Sequence, residues 1–307
     1  MLATLTRRRF SDPNWIFERK FDGQRLLAFS SAKSTRLMSR NRKDVSTAYP
    51  ELVDAFRRLP HADLIVDGEV VAFDGSRTSF ERLQQRMQIR SEHDARLSRV
   101  PVYFYLFDVL YLDGKDLTAL PLLERKRFLR HALPFEDPIR MTVHRVGEGE
   151  TYYREACSKG WEGVIAKRAD SSYQGGRSMD WLKFKCAQGQ ELVIGGFTEP
   201  QGSAQGLGAL LVGYYAGDRF KYAGKVGTGF TVDVRLRLRA RLDRLVRKNC
   251  PFDEDPRESG ATWVAPRLVA EFAFSEWTRD GKLRHPSFRG LRDDRSPAQV
   301  VRETPVP

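Results

Sequence analysis

Short apolar runs rich in β-branched and aromatic residues recur along the first 185 residues, and each predicts a strand. The longest run covers residues 102–112 and stops at Asp113-Gly114, a pair typical of turns. The first 14 residues predict an extended, basic lead-in, whereas the polar residues 91–99 give no prediction. The predicted strands are 24–29, 36–39, 64–73, 102–112, 161–168 and 181–185, and the predicted helices are 50–59, 79–87, 122–132 and 151–159.

The remaining residues predict a smaller, β-rich domain. Residues 231–248 are basic, but Leu238, Leu242 and Leu245 recur at helical spacing, so this segment predicts a helix. A few strands with one helix are compatible with the β-barrel of an OB-fold. The predicted strands here, separated by glycine-rich turns, are 191–197, 209–215, 219–226 and 267–277.

A short polar break at residues 186–190 predicts the domain boundary, which gives one domain over 1–187 and a second over 188–307. The glycines of the second domain's first turn, Gly202, Gly206 and Gly208, lack the Gly-Lys-Ser/Thr ending of a phosphate-binding loop. We therefore interpret this turn as a hairpin. The mixture of strands and helices places the chain in the α+β class.

Composition narrows the function. The 307 residues are 41% hydrophobic and 30% charged, and no apolar run approaches the roughly 18 residues of a membrane span. The first ten residues lack the apolar core of a secretory signal. A net charge of +12 favours a polyanionic partner, although basicity alone is a weak indicator. The odd number and wide spacing of Cys157, Cys186 and Cys250 argue against disulfides and zinc, and favour a reducing cytoplasm.

Lys20 is the first candidate for chemistry. It ends an apolar segment and is followed by Asp22-Gly23 and by Arg25. A lysine amine attacks phosphorus only without its proton, and apolar cover or neighbouring cations such as Arg19 and Arg25 favour that state. The alternative is a surface hairpin in which Lys20 is a solvated charge.

Three further positions are candidates for contacts with a ligand. Glu69 lies inside an apolar run, so it needs a cation or a ligand hydroxyl as partner. Phe107, near the end of its strand, can stack on a purine or belong to the core. Arg40 follows another strand, where it can reach a sugar or phosphate or remain a solvated charge.

Glu162, Lys183 and Lys185 suggest an anion and metal site. A carboxylate at the start of a strand is a candidate ligand for a hard divalent cation. The two lysines share one face of their strand because side chains alternate, and an anion between them would relieve their repulsion. A solvated strand face is the alternative for the two lysines.

The segment Lys20-x-Asp22-Gly23-x-Arg25 resembles the first motif of the covalent nucleotidyltransferases, which comprise DNA ligases, RNA ligases and mRNA capping enzymes. The later motifs follow in the order and approximate spacing of ATP-dependent DNA ligases. They most resemble the ligase domain of bacterial ligase D, which repairs double-strand breaks by end joining with Ku. The segments that carry this resemblance are 107–114, 162–168, 181–185 and 276–281.

The resemblance implies a nucleotidyltransferase domain of antiparallel sheets and helices followed by an OB-fold domain, and it assigns roles to single residues. Lys20 would be the adenylated nucleophile. The implied nucleotide contacts are Glu18 at the adenine amino group, Phe107 at the ring, Glu69 at the ribose, Arg25 and Arg40 near the phosphate or sugar, and Lys183 and Lys185 at the α-phosphate. The implied ligands of Mg²⁺ or Mn²⁺ are Asp22 and Glu162.

Arg292-Asp293-Asp294-Arg295 resembles the family's last motif, Arg-x-Asp-Lys, whose cations orient the departing pyrophosphate. The final lysine of that motif is Arg295 in this chain. The charge is kept but the geometry of the cation changes, so the role of Arg295 is less secure than that of Arg292.

The resemblance implies a monomeric enzyme that seals nicked or broken double-stranded DNA with ATP, with Ku as a candidate partner and a bacterial, nucleoid-associated location. The length has no room for polymerase or nuclease modules, which predicts a stand-alone ligase or an excised domain. Two alternatives stay open. One is an RNA ligase or a GTP-using capping-type enzyme, and the other is a catalytically silent DNA-binding OB protein.

Overall fold

The computed structural model describes residues 1–59, 63–186, 189–200 and 205–306. The chain divides into two compact units, Met1–Cys186 with Thr304–Pro307, and Ala187–Glu303. Three predicted features fall outside the described residues: the end of the first helix at Pro60, the boundary pair Ala187-Gln188, and Gly202.

The first unit contains two sheets. Its first sheet has the order β1-β13-β12-β2-β11, in which all neighbours are antiparallel except β1 and β13. One face of this sheet packs on a helix through a cluster that includes Phe17, Val164 and Phe184. The strands of the first sheet are β1 (Leu2–Leu5), β2 (Trp15–Lys20), β11 (His144–Val146), β12 (Gly163–Arg168) and β13 (Arg177–Lys185).

The second sheet has the order β10-β8-β5-β3-β4, with β9 added beside β8. Its buried apolar positions form the largest core of the unit, together with α1, α2 and α4. The strands of this sheet are β3 (Gln24–Ser30), β4 (Thr35–Ser39), β5 (Leu64–Val71), β8 (Tyr103–Leu112), β9 (Lys115–Asp116) and β10 (Ile139–Met141). The unit's other elements are the hairpin β6 (Phe73–Asp74) and β7 (Arg77–Thr78), and the helices α1 (Pro50–Arg57), α2 (Phe80–Met87), α3 (Glu92–Leu97), α4 (Leu122–Ala132) and α5 (Gly149–Ser158).

Helix α3 was not predicted from the sequence. The Ser91 side chain caps it by accepting a hydrogen bond from the Asp94 amide, and Ala95 is the buried contact. A six-residue helix with one buried side chain leaves little periodicity to detect, so a local cap carries most of its signal.

The second unit is an antiparallel sheet with one helix. Its main sheet has the order β16-β15-β14-β17-β20, and among the described residues this order is open rather than closed into the predicted barrel. The helix is capped by Thr231 and buries Leu238 and Leu242. The elements of the second unit are β14 (Gly189–Thr198), β15 (Leu210–Ala216), β16 (Arg219–Val226), α6 (Val232–Asp243), β17 (Ala261–Ala273), β18 (Glu276–Trp277), β19 (Leu283–Arg284) and β20 (Ser287–Leu291).

Two boundaries in this unit differ from the prediction by five residues or more. Helix α6 ends at Asp243 because the chain beyond it pairs with β17 through a bridge between Val246 and Val264. Strand β17 begins at Ala261, earlier than predicted. The prediction started the strand only after Pro266, because this proline interrupts the strand pattern. This proline lies where the pairing of β14 with β17 shifts register, and proline is tolerated at such irregularities.

The basic helix α6 is largely neutralised within its own unit. Arg239 pairs with Glu199 and Asp243, and Arg235 donates hydrogen bonds to backbone carbonyls, including those of Leu207 and Gly208. Arg237 and Arg241 pair with Asp233 and Asp293, respectively. These arginines therefore stabilise the fold locally instead of forming a simple solvated face.

The prediction that the cysteines form no disulfide is wrong. Cys157 at the end of α5 is bonded to Cys186, which directly follows β13, while Cys250 is a free thiol. The separation of 29 residues conceals the contact, because α5 packs beside β12 and β12 pairs with β13. Spatial proximity of this kind is not visible in cysteine spacing.

We expect this disulfide to stabilise the first unit. Closing a loop of this length restricts the unfolded chain and contributes about 3.6 kcal/mol in the chain-entropy model. Reduction, or the Cys157→Ser substitution, should therefore lower the free energy of unfolding by that amount in denaturant titrations. Protein unfolded without reductant should expose one reactive thiol, whereas three would contradict the pairing.

None of the helices in the described residues combines the length and apolar character needed to cross a membrane.

Candidate active site

Lys20 lies at the end of β2, the strand between β11 and β12 in the first sheet. It is half-buried and forms an ion pair with Glu162, the residue before β12. Opposite Lys20 stands Gly163, with φ of 151° and no room for a side chain, because a Cβ there would lie 1.9 Å from the Phe184 carbonyl oxygen. Glycine thus permits the close strand contact that holds Glu162 against Lys20.

The strand register places four predicted site residues on one face of this sheet. Lys20 and Lys185 stand opposite Gly163 from either side. Glu18 and Lys183 stand opposite Ile165 in the same way. Directly paired residues project to the same side, and residues two apart share a face. Two rows therefore form across β2, β12 and β13: Lys20, Gly163 and Lys185, and Glu18, Ile165 and Lys183.

Lys183 and Lys185 are half-buried on this face. Neighbouring strands lie about 4.8 Å apart, so Lys20 and Lys185 are separated by about 10 Å at their backbones, with the glycine between them. Long lysine side chains across such a gap can converge on one anion. The arrangement is suited to holding a phosphate beside the Lys20 amine.

Arg19 lies on the opposite face from Lys20. Its guanidinium stacks on the Trp161 ring at 4.4 Å and lies 5.1 Å from the Phe21 ring centroid. The sequence analysis named Arg19 as a neighbouring cation that would favour the unprotonated state of Lys20. Because side chains alternate along β2, Arg19 instead projects from the other face of the sheet.

Glu18 is buried between two lysines that sequence reasoning did not assign to the site. Its carboxylate contacts the Lys126 ammonium of α4 at 2.5 Å and the Lys167 ammonium of β12 at 2.6 Å. Burial alone would raise the pKa of the Glu18 carboxyl, but the two cations outweigh burial and keep this pKa below its ordinary value. Lys126 lies with Leu122 and Leu129 on the buried, apolar face of α4. A charged residue on that face was the feature of the sequence that could have identified Lys126 as part of the site.

Lys167, the second cation beside Glu18, has a lowered pKa. Burial lowers the pKa of its ammonium to about 8, although the Glu18 carboxylate opposes that shift. The ammonium also lies 4.1 Å from the Phe107 ring and 4.0 Å from the Trp181 ring, in cation–π contact with both. Phe107 is 9% exposed and packs edge-on against Trp181, so it belongs to a small aromatic cluster next to Glu18.

Arg25, near the start of β3, belongs to a largely buried hydrogen-bond network. It donates hydrogen bonds to both carboxylate oxygens of Asp67, at 2.9 and 2.5 Å, and to the Met1 carbonyl. The Tyr173 hydroxyl donates to the same Asp67 carboxylate at 2.8 Å. Burial opposes the charges, but the Arg25 guanidinium holds the pKa of Asp67 below its usual range. This network supports the strand carrying Arg25 rather than leaving its guanidinium exposed.

Glu69 stands directly opposite Arg25 across β5 and β3 and is half-buried. Arg40 is also half-buried, in the turn after β4. Gly23, between Asp22 and β3, has no room for a side chain because a Cβ would lie 2.3 Å from the Val70 carbonyl oxygen. The backbone at this glycine therefore packs closely against β5.

Asp22 and Glu162 are the predicted metal ligands. Asp22 is half-buried in the connection that follows Lys20, and Glu162 contacts Lys20 itself. No cluster of three or more histidine, cysteine or acidic residues suited to a metal occurs in the described part of the chain. The donors fit a hard cation such as Mg²⁺, which needs only one or two carboxylates when phosphate oxygens and water complete its shell.

Arg292 and Arg295 belong to the second unit and are engaged there by carboxylates. Arg292 is buried and binds Asp294 through two hydrogen bonds of 3.0 Å, with Glu271 at 3.2 Å. Arg295 forms an ion pair with Glu191. Burial disfavours the Arg292 charge, but these carboxylates raise its pKa well above the ordinary value.

Comparison with known proteins agrees with this geometry. Residues 1–185 match the model of the ATP dependent DNA ligase domain, and residues 203–295 match that of the ATP dependent DNA ligase C terminal region. These matches confirm the predicted fold class, a nucleotidyltransferase domain followed by an OB-fold domain.

Individual relatives are similar over almost the whole chain. The multifunctional non-homologous end joining protein LigD of Pseudomonas aeruginosa is 38% identical over 302 residues, which cover 95% of this chain and 35% of that protein. The LigD protein of Mycobacterium tuberculosis is 40% identical over 297 residues, which cover 94% of this chain and 37% of that protein. The chain thus spans about a third of the length of these relatives.

A solved structure of mycobacterial DNA ligase D complexed with ATP and MES superimposes with a TM-score of 0.67. The two chains are 35% identical, and the match covers 98% of each. The family model matches more than half of the chain, and together with these relatives it establishes the family to which the chain belongs. The chain belongs to the family of ATP-dependent DNA ligases.

Proposed function

We propose that this chain seals nicks and breaks in double-stranded DNA through a lysyl-AMP intermediate on Lys20. The observation that carries the proposal is the row of Lys20, Gly163 and Lys185 across three paired strands, with Glu162 against the Lys20 amine. Two lysines on one face of a sheet suit a nucleophile beside a phosphate-binding cation, which supports the proposal. The family match to ATP-dependent DNA ligases supports the same activity.

The reaction consists of three transfers at phosphorus. The unprotonated Lys20 nitrogen forms a bond to the α-phosphorus of ATP and loses one proton to solvent, while the bond to the bridging oxygen breaks and pyrophosphate leaves. A DNA 5′-phosphate oxygen then attacks the same phosphorus, and the lysine nitrogen takes up a proton and is released. Finally, the 3′-hydroxyl attacks the DNA 5′-phosphate, loses its proton, forms the phosphodiester and expels AMP. Each transfer depends on positioning and on neutralisation of charge.

We propose the nucleotide contacts that the family resemblance implies. Lys183 and Lys185 hold the α-phosphate from the face they share with Lys20. Glu18 accepts a hydrogen bond from the adenine amino group, next to the Phe107 ring. The remaining proposed contacts are Glu69 at the ribose, Arg25 and Arg40 near the sugar or phosphate, and Arg292 and Arg295 at the departing pyrophosphate.

A divalent cation is part of the proposal, with Asp22 and Glu162 as its protein ligands. When bound, Mg²⁺ or Mn²⁺ would neutralise phosphate charge. Glu162 also holds the Lys20 side chain through their ion pair, so this carboxylate orients the nucleophile.

The biological setting is proposed from the relatives. The matched proteins are named for non-homologous end joining, and the chain corresponds to about a third of their length. We propose bacterial double-strand break repair, with Ku as a partner, a monomeric ligase, and a cytoplasmic location at the nucleoid. The disulfide between Cys157 and Cys186 removes the argument for a reducing compartment that came from the cysteine spacing, so this location rests on the relatives alone. The net charge of +12 suits a DNA substrate.

Sealing of defined nicks tests this function. A labelled duplex with one nick should be joined with ATP and a divalent cation, but not when GTP replaces ATP. Sealing only a nicked RNA duplex would favour an RNA ligase, and protein labelling only by GTP would favour a capping-type enzyme. DNA binding without labelling or sealing would favour the silent binder, provided that added pyrophosphate releases no ATP from pre-adenylated protein.

The lowered pKa of Lys167, about 8, predicts a pH dependence. Below this pH the ammonium is charged and pairs with Glu18. Above it the cation is lost, so the site attracts the triphosphate less and Glu18 retains only Lys126. We expect the KM for ATP in Lys20 labelling to rise with an inflection near pH 8.

The matched variant is Lys167→Gln, which has no titrating group at this position. Its KM should lack the inflection that the wild-type protein shows. Measuring KM for both proteins on either side of pH 8 separates this effect from the pH dependence of the Lys20 amine, which both share. An equal inflection in both proteins would assign the titration to another group.

A further inference from the structure

Each oxygen of the Glu18 carboxylate contacts a different lysine. Lys126 contacts Oε1 at 2.5 Å, and Lys167 contacts Oε2 at 2.6 Å. The side chains of all three residues are 2% exposed. A buried carboxylate needs one cation to balance its charge, whereas this one has two. The second lysine therefore calls for a role beyond neutralisation.

Lys126 has further contacts that Lys167 lacks. Its ammonium donates to the Phe107 carbonyl at 3.3 Å and to the Thr142 carbonyl at 3.4 Å, in addition to Glu18. An ammonium has three donors, and here all three have an acceptor. Lys126 is thus fixed by β8 and by the segment before β11, and it in turn fixes Glu18.

These contacts join two residues assigned to the base. Lys126 bonds the carboxylate of Glu18 and the backbone of Phe107, so one side chain sets the position of the carboxylate relative to the ring. An ionised carboxylate has about four lone-pair sites, so two ammonium contacts leave acceptors for another donor. A fixed, ionised acceptor favours a ligand amine and repels a ligand carbonyl.

We propose that Lys126 is a positioning residue for base selection, which holds the Glu18 carboxylate where it meets the exocyclic amine of adenine. This inference rests on the proposed function, in which Glu18 contacts that amine. Lys126 does not itself touch the nucleotide. Its removal changes which base is accepted more than it changes the chemistry at Lys20.

The test compares triphosphates that differ only at this amine. Labelling of Lys20 is measured with ATP and with purine riboside triphosphate, which lacks the amine. Wild-type protein should prefer ATP, and Lys126→Gln should reduce that preference at least tenfold, as expected for a hydrogen bond to a charged group. The loss should appear in the KM for ATP, with little change for purine riboside triphosphate.

Arg127→Gln is the matched control, because Arg127 follows Lys126 on α4 but is exposed. It should keep the wild-type preference. Should Lys126→Gln lose its thermal unfolding transition, Lys126→Arg replaces it. Arginine retains the charge, but its planar guanidinium cannot place three donors on Glu18, Phe107 and Thr142 alike, so the same selective loss is expected.

Two results would overturn the inference. A folded Lys126 variant that slows labelling equally with both triphosphates would assign Lys126 a purely structural role. Unchanged ATP preference in Glu18→Gln would remove the contact through which Lys126 acts. Either failure leaves Lys20 labelling by ATP intact in the wild-type protein, whereas absence of that labelling, with no ATP released by pyrophosphate, would instead contradict the proposed function.

Discussion

Lys20→Ala should abolish the covalent protein–AMP adduct. Alanine has no atom that can attack phosphorus, and neither Lys183 nor Lys185 replaces Lys20, because both stand on β13 across the intervening strand β12. We expect loss of labelling to background when the variant is incubated with α-labelled ATP and analysed by denaturing electrophoresis. Sealing of a nick should disappear with it.

Lys20→Arg provides the matched control. Arginine keeps a cation beside Glu162 but is not a nucleophile at neutral pH, so it should also fail to label while preserving the ion pair. Both variants should bind nicked DNA about as well as wild-type protein, since Lys20 is one of 52 basic residues. Residual labelling in either variant would place the nucleophile elsewhere, and joint loss of DNA binding and thermal transition would indicate misfolding.

Asp108→Ala should destabilise the first unit by about 3–5 kcal/mol, the usual effect of removing one partner from a buried ion pair. Asp108 and Arg125 are fully buried and joined by two hydrogen bonds of 2.8 and 2.9 Å. Without Asp108 of β8, the buried guanidinium of Arg125 on α4 would lose its carboxylate partner. Denaturant unfolding monitored by tryptophan fluorescence would measure the loss.

Two controls separate this effect from a general loss of acidic residues. Glu136→Ala, at an exposed position in the loop before β10, should change stability by less than about 0.5 kcal/mol. The charge-free pair Asp108→Leu with Arg125→Met should recover much of the loss, because it leaves no buried charge. A single Asp108→Ala change with wild-type stability would contradict the importance of this pair.

The sequence predicts those parts of the site that depend on local residue patterns. Alternation in β13 placed Lys183 and Lys185 on one face, and the strand carries them in that way. The Asp-Gly after Lys20 marked the end of β2. An acidic residue at the start of an apolar run indicated Glu162. In each case the decisive interaction lies within a few residues along the chain.

The partners of Glu18 and Arg25 could not be predicted, because they depend on contacts between distant segments. Lys126 is 108 residues away from Glu18, and Asp67 is 42 residues away from Arg25. Local patterns indicate a buried charge without naming its partner. The disulfide between Cys157 and Cys186 was missed for the same reason.

Boundaries in the second unit were misjudged where tertiary pairing overrides local preference. The leucines of α6 continue helical spacing to Leu245, yet the chain leaves the helix at Asp243 to meet β17. Pro266 reads as a strand breaker, yet β17 accommodates it at a shift in register. Sequence periodicity carries no information about either neighbour.

The most direct measurement maps the adduct itself. Wild-type protein is incubated with α-labelled ATP and a divalent cation, digested, and analysed by mass spectrometry for the peptide that carries AMP. We predict AMP on the side-chain nitrogen of Lys20, with no adduct from GTP under the same conditions. AMP on a different residue, or a guanylated protein without an adenylated one, would contradict the account.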